Sequence, residues 1–334
     1  MSNNHLVGSF IRRFLLEEVV ASKNLTLNTQ HSYRDSIRLL LGFLHEQKAR
    51  NPTRLTVEEI SAPVVRAFLE HLEGSRRNCV ATRNQRLAAL HSLFRFIAQQ
   101  VPELVEQATQ ILAIPPRRTS PPQMAYLEKR ELDALLEVPD RSRPQGQRDY
   151  ALLLFLYNTG ARASEAAGLT IGALSVDTAP SVRLLGKGRK SRTCPLWQHT
   201  AKTLVQLLGT RLQGPPDEAV FLNVRGEPVT RFGIHDLVAR TLVKAAQTVP
   251  SLRQKRVSPH TLRHTTAVHL LRAGVDINTI RAWLGHVSLE TTNRYAEVDL
   301  EMKARALETC ALPNSKTQPT WHNDNGLIAF LASL

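Results

Sequence analysis

The stretch Ser258-Pro-His-Thr-Leu-Arg-His264 sets an imidazole, His260, three residues ahead of a guanidinium, Arg263. Ser258 is a good helix N-cap and Pro259 a good first helical residue, so both side chains are expected on one face of a helix. A neutral imidazole can accept a proton while a guanidinium fork holds an anionic oxygen. In Gly160-Ala-Arg-Ala-Ser-Glu165 a second guanidinium, Arg162, follows a glycine that lets the backbone turn sharply. Glu165 stands three residues on, placed to orient it. Lys187 sits in Gly186-Lys-Gly188, between two segments of strand composition. Leu284-Gly-His286 leaves a helix at its glycine, and Tyr295 follows nine residues later in Thr291-Thr-Asn-Arg-Tyr295. Taken singly, these residues also suit ordinary roles: a polar helix face, a surface turn, a core tyrosine.

The elements that must position them are mostly helices. Apolar residues recur at helical spacing over 5–22, 26–48 and 78–100, and Pro63 opens a shorter helix ending near 73. Arg83 and Arg86 lie about one turn apart on the helix over 78–100, so they share a face. Ile114-Pro-Pro-Arg-Arg-Thr-Ser-Pro-Pro-Gln123 cannot continue a helix. It reads as a semi-rigid linker whose Arg117 and Arg118 can meet a phosphate backbone. Beyond it, helices are predicted over 128–138, 147–159, 200–212, 231–247, 259–273, 277–284 and 289–294. Segments 181–185 and 191–196 pair as a hairpin across the Gly186–Gly188 turn. The fold class is mainly α, with one small antiparallel sheet. The tail is polar from Pro313 to Asn325, and Leu327, Phe330, Leu331 and Leu334 then share one face of a helix too short to be stable alone.

The chain has 334 residues, enough for two domains, and carries 43 Lys and Arg against 29 Asp and Glu, a formal charge of +14. The excess is spread: 1–112 hold 14 basic and 10 acidic residues, and 124–334 hold 27 and 19. That is a basic surface on both domains, not a polybasic tail, and it suits a partner rich in phosphate. Cys79, Cys194 and Cys310 are far apart with no CxxC spacing, which argues against a zinc site or a disulfide framework and suits a reducing compartment. No leader pattern and no run of about 18 apolar residues is present, so no membrane is expected.

In chain order Arg162, Lys187, His260, Arg263, His286 and Tyr295 resemble the six-residue signature of the tyrosine site-specific recombinases, the phage integrase family. The surrounding words TGARASE, LLGKGRKSR, PHTLRHTTAVHLL and AWLGHVSLETTNRYAEV are similar too. The resemblance covers residues 5 to 310, with none of the six altered. It implies the tyrosine recombinase fold: a helical, SAM-like core-binding domain over 1–112, a linker over 113–123, a catalytic domain over 124–310 and a tail over 311–334. The two domains are expected to clamp DNA in an Xer-like layout, the first leaving no room for a further arm-binding module. The implied activity is site-specific recombination of double-stranded DNA with paired recognition sites, through a 3′-phosphotyrosyl intermediate on Tyr295. Arg162, Arg263 and His286 then hold the non-bridging oxygens. His260 takes the phenol proton, whose pKa is about 10, and Lys187 protonates the leaving 5′-oxygen, with Lys190 its rival on the same hairpin. Arg83, Arg86, Arg117, Arg118, Arg189, Lys190 and Arg192 are the candidate DNA contacts. The covalent bond stores the phosphodiester energy, so no ATP, metal or other cofactor is implied. The tail is expected to dock on a neighbouring protomer, giving a homo- or hetero-tetramer on DNA in the bacterial cytoplasm, nucleoid-associated when bound. Two rival activities share parts of the pattern: type IB topoisomerase relaxation and DNA binding by a dead-site regulator. The tail with the Xer-like domain order argues against the first, and the intact six-residue set against the second.

Overall fold

The computed structural model describes residues 5–48, 52–119, 124–186 and 190–285. The chain divides into two units, Met1–Pro122 and Gln123–Leu334. The first is helical: α1 (Val7–Arg13) running on into wider π-helical turns (Phe14–Ser22), α2 (Leu27–Lys48), α3 (Ala62–Gly74), α4 (Val80–Gln100) and α5 (Val105–Leu112). Phe14, Leu40, Leu44, Phe68, Leu72, Leu90, Phe94 and Ile111 meet in its core. No helix is expected over 105–112 from sequence. Burial of Ala108 and Ile111 against α4 supplies what propensity does not.

Two expected DNA contacts turn inward on α4. Arg83 is only 6% exposed, with Nη1 donating to Asn84 Oδ1 at 3.1 Å. Arg86 is half-buried, and its Nη1 donates to Ser32 O (3.2 Å) and Ser36 Oγ (3.1 Å), tying α4 to α2. Arg83 is corrected to a cross-link within the first unit, its Nη1 also reaching Pro115 O at 3.5 Å, whereas Arg86 is tied to α2 and stays partly exposed. The start of the linker is docked as well. Ile114 is buried, the Asn84 amide donates to Arg117 O (2.8 Å), and the Arg117 N–H donates back to Asn84 Oδ1 (3.0 Å). The Arg117 guanidinium pairs with Glu73 at 2.6 Å, while Arg118 is exposed.

The second unit contains α6 (Lys129–Glu137), α7 (Pro144–Thr159), α8 (Ala163–Ala167), β1 (Leu174–Ser175), β2 (Ser181–Leu185), β3 (Ser191–Pro195), α9 (Gln198–Leu208), α10 (Arg231–Thr248), α11 (Pro259–Arg272) and α12 (Ile277–Leu284). The strands form an antiparallel sheet in the order β1-β2-β3, with Val182 opposite Cys194 and Leu184 opposite Arg192. The expected hairpin therefore gains a two-residue third strand, too short to leave a sequence pattern. α7 is buried all round from Ala151 to Leu156 and forms the centre of the core. The expected helix over 289–294 and the tail lie outside the described residues. Among the described residues no helix is long and apolar enough to cross a membrane.

Asn84→Ala removes two backbone hydrogen bonds from Arg117, each worth about 1 kcal/mol. Trypsin should then cut after Arg117 and Arg118 faster by on the order of tenfold, while the helical circular dichroism of the first unit is kept. Unchanged cleavage at those two bonds overturns the docking of the linker.

Candidate active site

α7 ends at Gly160, which adopts the left-handed conformation (φ 60°) that a side chain resists. A methyl there would also lie 2.4 Å from Leu284 Cδ2. The chain turns, and Arg162 becomes the N-cap of α8. Its own N–H donates to Glu165 Oε2 (2.9 Å) and its Nη1 to Glu165 Oε1 (2.7 Å), so the cap and the side chain are fixed by one carboxylate. That carboxylate is 2% exposed, and it also takes the fork of Arg192 from β3: Nη1 to Oε1 at 2.9 Å and Nη2 to Oε2 at 2.7 Å. Arg192 Nε donates to Trp283 O, 2.8 Å away in the last turn of α12. Burial alone pushes the Glu165 carboxyl up; the hydrogen bonds and charge of Arg192, with those of Arg162, overturn this and hold it at about 2.

α11 starts as its sequence dictates, with Ser258 Oγ accepting from the Thr261 N–H and Pro259 in the first turn. Arg263 is 1% exposed; Nη1 donates to Gly160 O at 2.6 Å and Nη2 donates to Leu284 O. It thus satisfies carbonyls at the ends of α7 and α12 together. His260, one turn earlier, keeps an exposed edge and packs against His264 with ring centroids 4.6 Å apart. Burial of its inner side, then the charges of Arg263, Arg162 and His235, lower its pKa below the ordinary imidazole value. An unprotonated imidazole beside two fixed guanidinium groups can take a proton next to a bound anion.

Arg162, at the start of α8, is thus brought together with His260 and Arg263 of α11 from two distant places in the sequence. They differ in access: Arg162 keeps 35% of its side chain exposed, whereas Arg263 faces inward rather than sharing an outer face with His260. Lys187, Arg189, His286 and Tyr295 lie outside the described residues. Gly186 does not: a methyl on it would stand 3.4 Å from Glu165 Oε1 and 3.9 Å from Arg162 Nη1, so the hairpin turn begins against this cluster. Lys190 is exposed. Arg192, expected as a DNA contact, is corrected to an internal cation: its side chain is 10% exposed and its fork is occupied by Glu165. Strand alternation carries the signal for this, since Arg192 and the buried Cys194 share one face of β3. Among the described residues, no three His, Cys, Asp or Glu side chains come together to hold a metal ion.

Comparison with known proteins bears on the whole chain. The phage integrase family matches residues 125–302, and the phage integrase N-terminal SAM-like domain matches 11–100. A Sinorhizobium fredii protein named as an integrase/recombinase, y4rC, is 39% identical over 335 residues, covering all of both chains. Tyrosine recombinase XerC of Bacillus subtilis is 32% identical over 305 residues, 89% of this chain and 94% of XerC. The fold is shared with the XerH site-specific recombinase bound to a palindromic difH substrate (TM-score 0.67, 24% identity, 88% of this chain and 83% of XerH). It is also shared with the Tn1549 transposon integrase in complex with circular intermediate DNA (TM-score 0.66, 18% identity, 90% and 99%).

The depressed Glu165 pKa makes a pH prediction. Its stabilisation is complete above the ordinary value of 4.5 and is lost as pH falls toward 2. At pH 7 wild type should exceed Glu165→Gln in unfolding free energy by about 3 kcal/mol, and at pH 3.5 the gap should narrow by about 1 kcal/mol. Urea titrations of both proteins at the two pH values measure this. An equal gap at both would mean that the carboxylate charge is not what holds the cluster.

Proposed function

The chain belongs to the phage integrase family, and from that premise we propose how its residues carry out the family's reaction. It is a tyrosine recombinase, an enzyme of site-specific DNA recombination that cleaves and rejoins strands. The observation that carries the assignment of roles is the meeting of Arg162 and Arg263 beside His260 with its lowered pKa. The Tyr295 oxygen attacks phosphorus while its proton passes to His260. The bond from phosphorus to the 5′-oxygen breaks, that oxygen takes a proton from Lys187, and a 3′-phosphotyrosyl bond remains. Arg162 and Arg263, with His286, stabilise the charge gathering on the non-bridging oxygens. Lys187, His286 and Tyr295 are assigned by their family motifs, and the position of Gly186 against Glu165 and Arg162 supports the arrival of Lys187 at this cluster. A free 5′-hydroxyl from a second duplex reverses the step and completes exchange, with neither nucleotide nor metal consumed.

Arg118, Arg189 and Lys190 remain the candidate backbone contacts, together with the exposed part of Arg117. The substrate is double-stranded DNA carrying paired sites, and the protein acts in the bacterial cytoplasm, on the nucleoid. Leu327, Phe330, Leu331 and Leu334 supply an apolar face that seats on a neighbouring protomer and builds a tetramer on DNA. Deleting residues 314–334 should spare binding to one half-site yet abolish cooperative assembly on paired sites in gel shifts. Unchanged cooperativity would count against docking in trans.

Tyr295→Phe keeps the ring and loses only the nucleophilic oxygen. It should bind DNA with wild-type affinity and form no covalent complex on a nicked suicide substrate, whereas wild type should form one in excess chelator. A covalent complex from the variant would remove Tyr295 from its role.

A further inference from the structure

We propose that Arg192 is a positioning residue for strand cleavage: acting through Glu165, it fixes the Arg162 guanidinium and leaves that cluster with positive charge to offer a phosphate. The inference rests on the function proposed above and deepens it.

The placement follows from strand parity. Cys194 and Arg192 occupy the inner face of β3, opposite the buried Val182 and Leu184 of β2. The Arg192 stem is thereby held inside the fold, and Gly285 closes over it: a methyl at Gly285 would stand 3.0 Å from Arg192 Cδ and 3.3 Å from Nη1. Its two terminal nitrogens reach the two oxygens of Glu165, and Nε reaches Trp283 O. One planar group therefore joins the β2–β3 hairpin, α8 and the end of α12. A lysine carries the same charge but cannot make this planar three-point contact.

Charge gives the second part of the argument. Arg162 paired with Glu165 alone would be a neutral couple and a poor anion holder. Two guanidinium groups on one carboxylate leave the trio net positive, and Arg162, at 35% side-chain exposure against 10% for Arg192 and 2% for Glu165, is the member that meets solvent. Glu165 binds Arg162 through both oxygens, one from the backbone N–H and one from Nη1, and those oxygens are aligned by the Arg192 fork. Loss of the fork frees the carboxylate to rotate and carries Arg162 with it. Displacement of a charge-stabilising group by about 1 Å costs on the order of a hundredfold in rate.

The test is single-turnover cleavage of a suicide substrate by full-length wild type, Arg192→Lys, Arg192→Gln, Glu165→Gln and the Arg192→Lys/Glu165→Gln double variant. The rate constant reports the chemistry of bound complexes, and the amplitude reports the folded fraction. A variant that folds poorly therefore still gives an answer. Arg192→Lys should slow cleavage on the order of a hundredfold, with a half-site dissociation constant within about twofold of wild type and an unchanged slope of log K against log salt. The double variant should be no slower than Glu165→Gln alone, because Arg192 acts through that carboxylate. Replacing the leaving 5′-oxygen with sulfur should rescue Lys187→Ala, which lacks the acid, and leave Arg192→Lys slow. The proposal is overturned by additive losses in the double variant, by sulfur rescue of Arg192→Lys, or by a salt slope lowered by about one with unchanged cleavage, which marks a phosphate contact. Absence of any covalent complex from wild type would instead strike the underlying function.

Discussion

Everything at the site depends on one buried carboxylate. Glu165 accepts the Arg162 N–H, one Arg162 guanidinium nitrogen and both terminal nitrogens of Arg192, and it stays ionised although burial opposes this. A charge removed from water is tolerated only when its lone pairs are met by donors of good geometry. Four hydrogen bonds to two oxygens meet that condition. They also settle local structure: the backbone bond caps α8, and the side-chain bonds determine where Arg162 stands. An anion at this point also does for the arginines what solvent cannot, allowing two like charges to approach one another.

The same economy governs the helix ends. A helix leaves carbonyls unsatisfied at its C-terminus, and at α7 and α12 these are buried. Arg263 donates to Gly160 O and Leu284 O, and Arg192 to Trp283 O, where the Cys194 thiol also donates at 3.3 Å. Cationic donors suit the negative end of a helix dipole, so the roles proposed for these side chains in catalysis coincide with a structural need. The glycines follow from this. Gly160 and Gly285 take left-handed conformations, and a side chain at either would intrude on Leu284 or Arg192. Replacing either glycine would disturb the arginines before it disturbed the core.

How much of this is legible in the amino-acid sequence depends on range. Helices with strong periodicity, such as α2, α4, α7 and α11, emerge from sequence within a few residues of their structural bounds, and α12 coincides with its expected range. α5 and β1 do not: β1 has only two residues, and α5 is held by what it packs against. The family motifs point to Arg162, His260 and Arg263 because their spacing within short words is local. What each arginine touches is not local. Arg83, Arg86 and Arg192 look like surface cations in a basic chain, yet each finds an acceptor on another segment. Charge patterning reports the composition of a face and not the partner across the gap, so tertiary contacts decide which cations remain for DNA.

The proton acceptor completes the argument. His260 has its pKa lowered by burial and by the charges of Arg263, Arg162 and His235. In the free enzyme this favours the unprotonated imidazole, the form that accepts a proton. A phosphodiester seated between the two arginines brings negative charge against the same cations, and the electrostatic part of the depression then weakens. On the proposed reading, proton affinity at His260 rises as the scissile phosphate arrives and rises further as charge gathers on the non-bridging oxygens. On that reading the base strengthens when the tyrosine proton must leave, because the groups proposed to bind the phosphate also add to the lowering of the imidazole's proton affinity before binding. Proton transfer and phosphate recognition are, on that reading, coupled through shared charges.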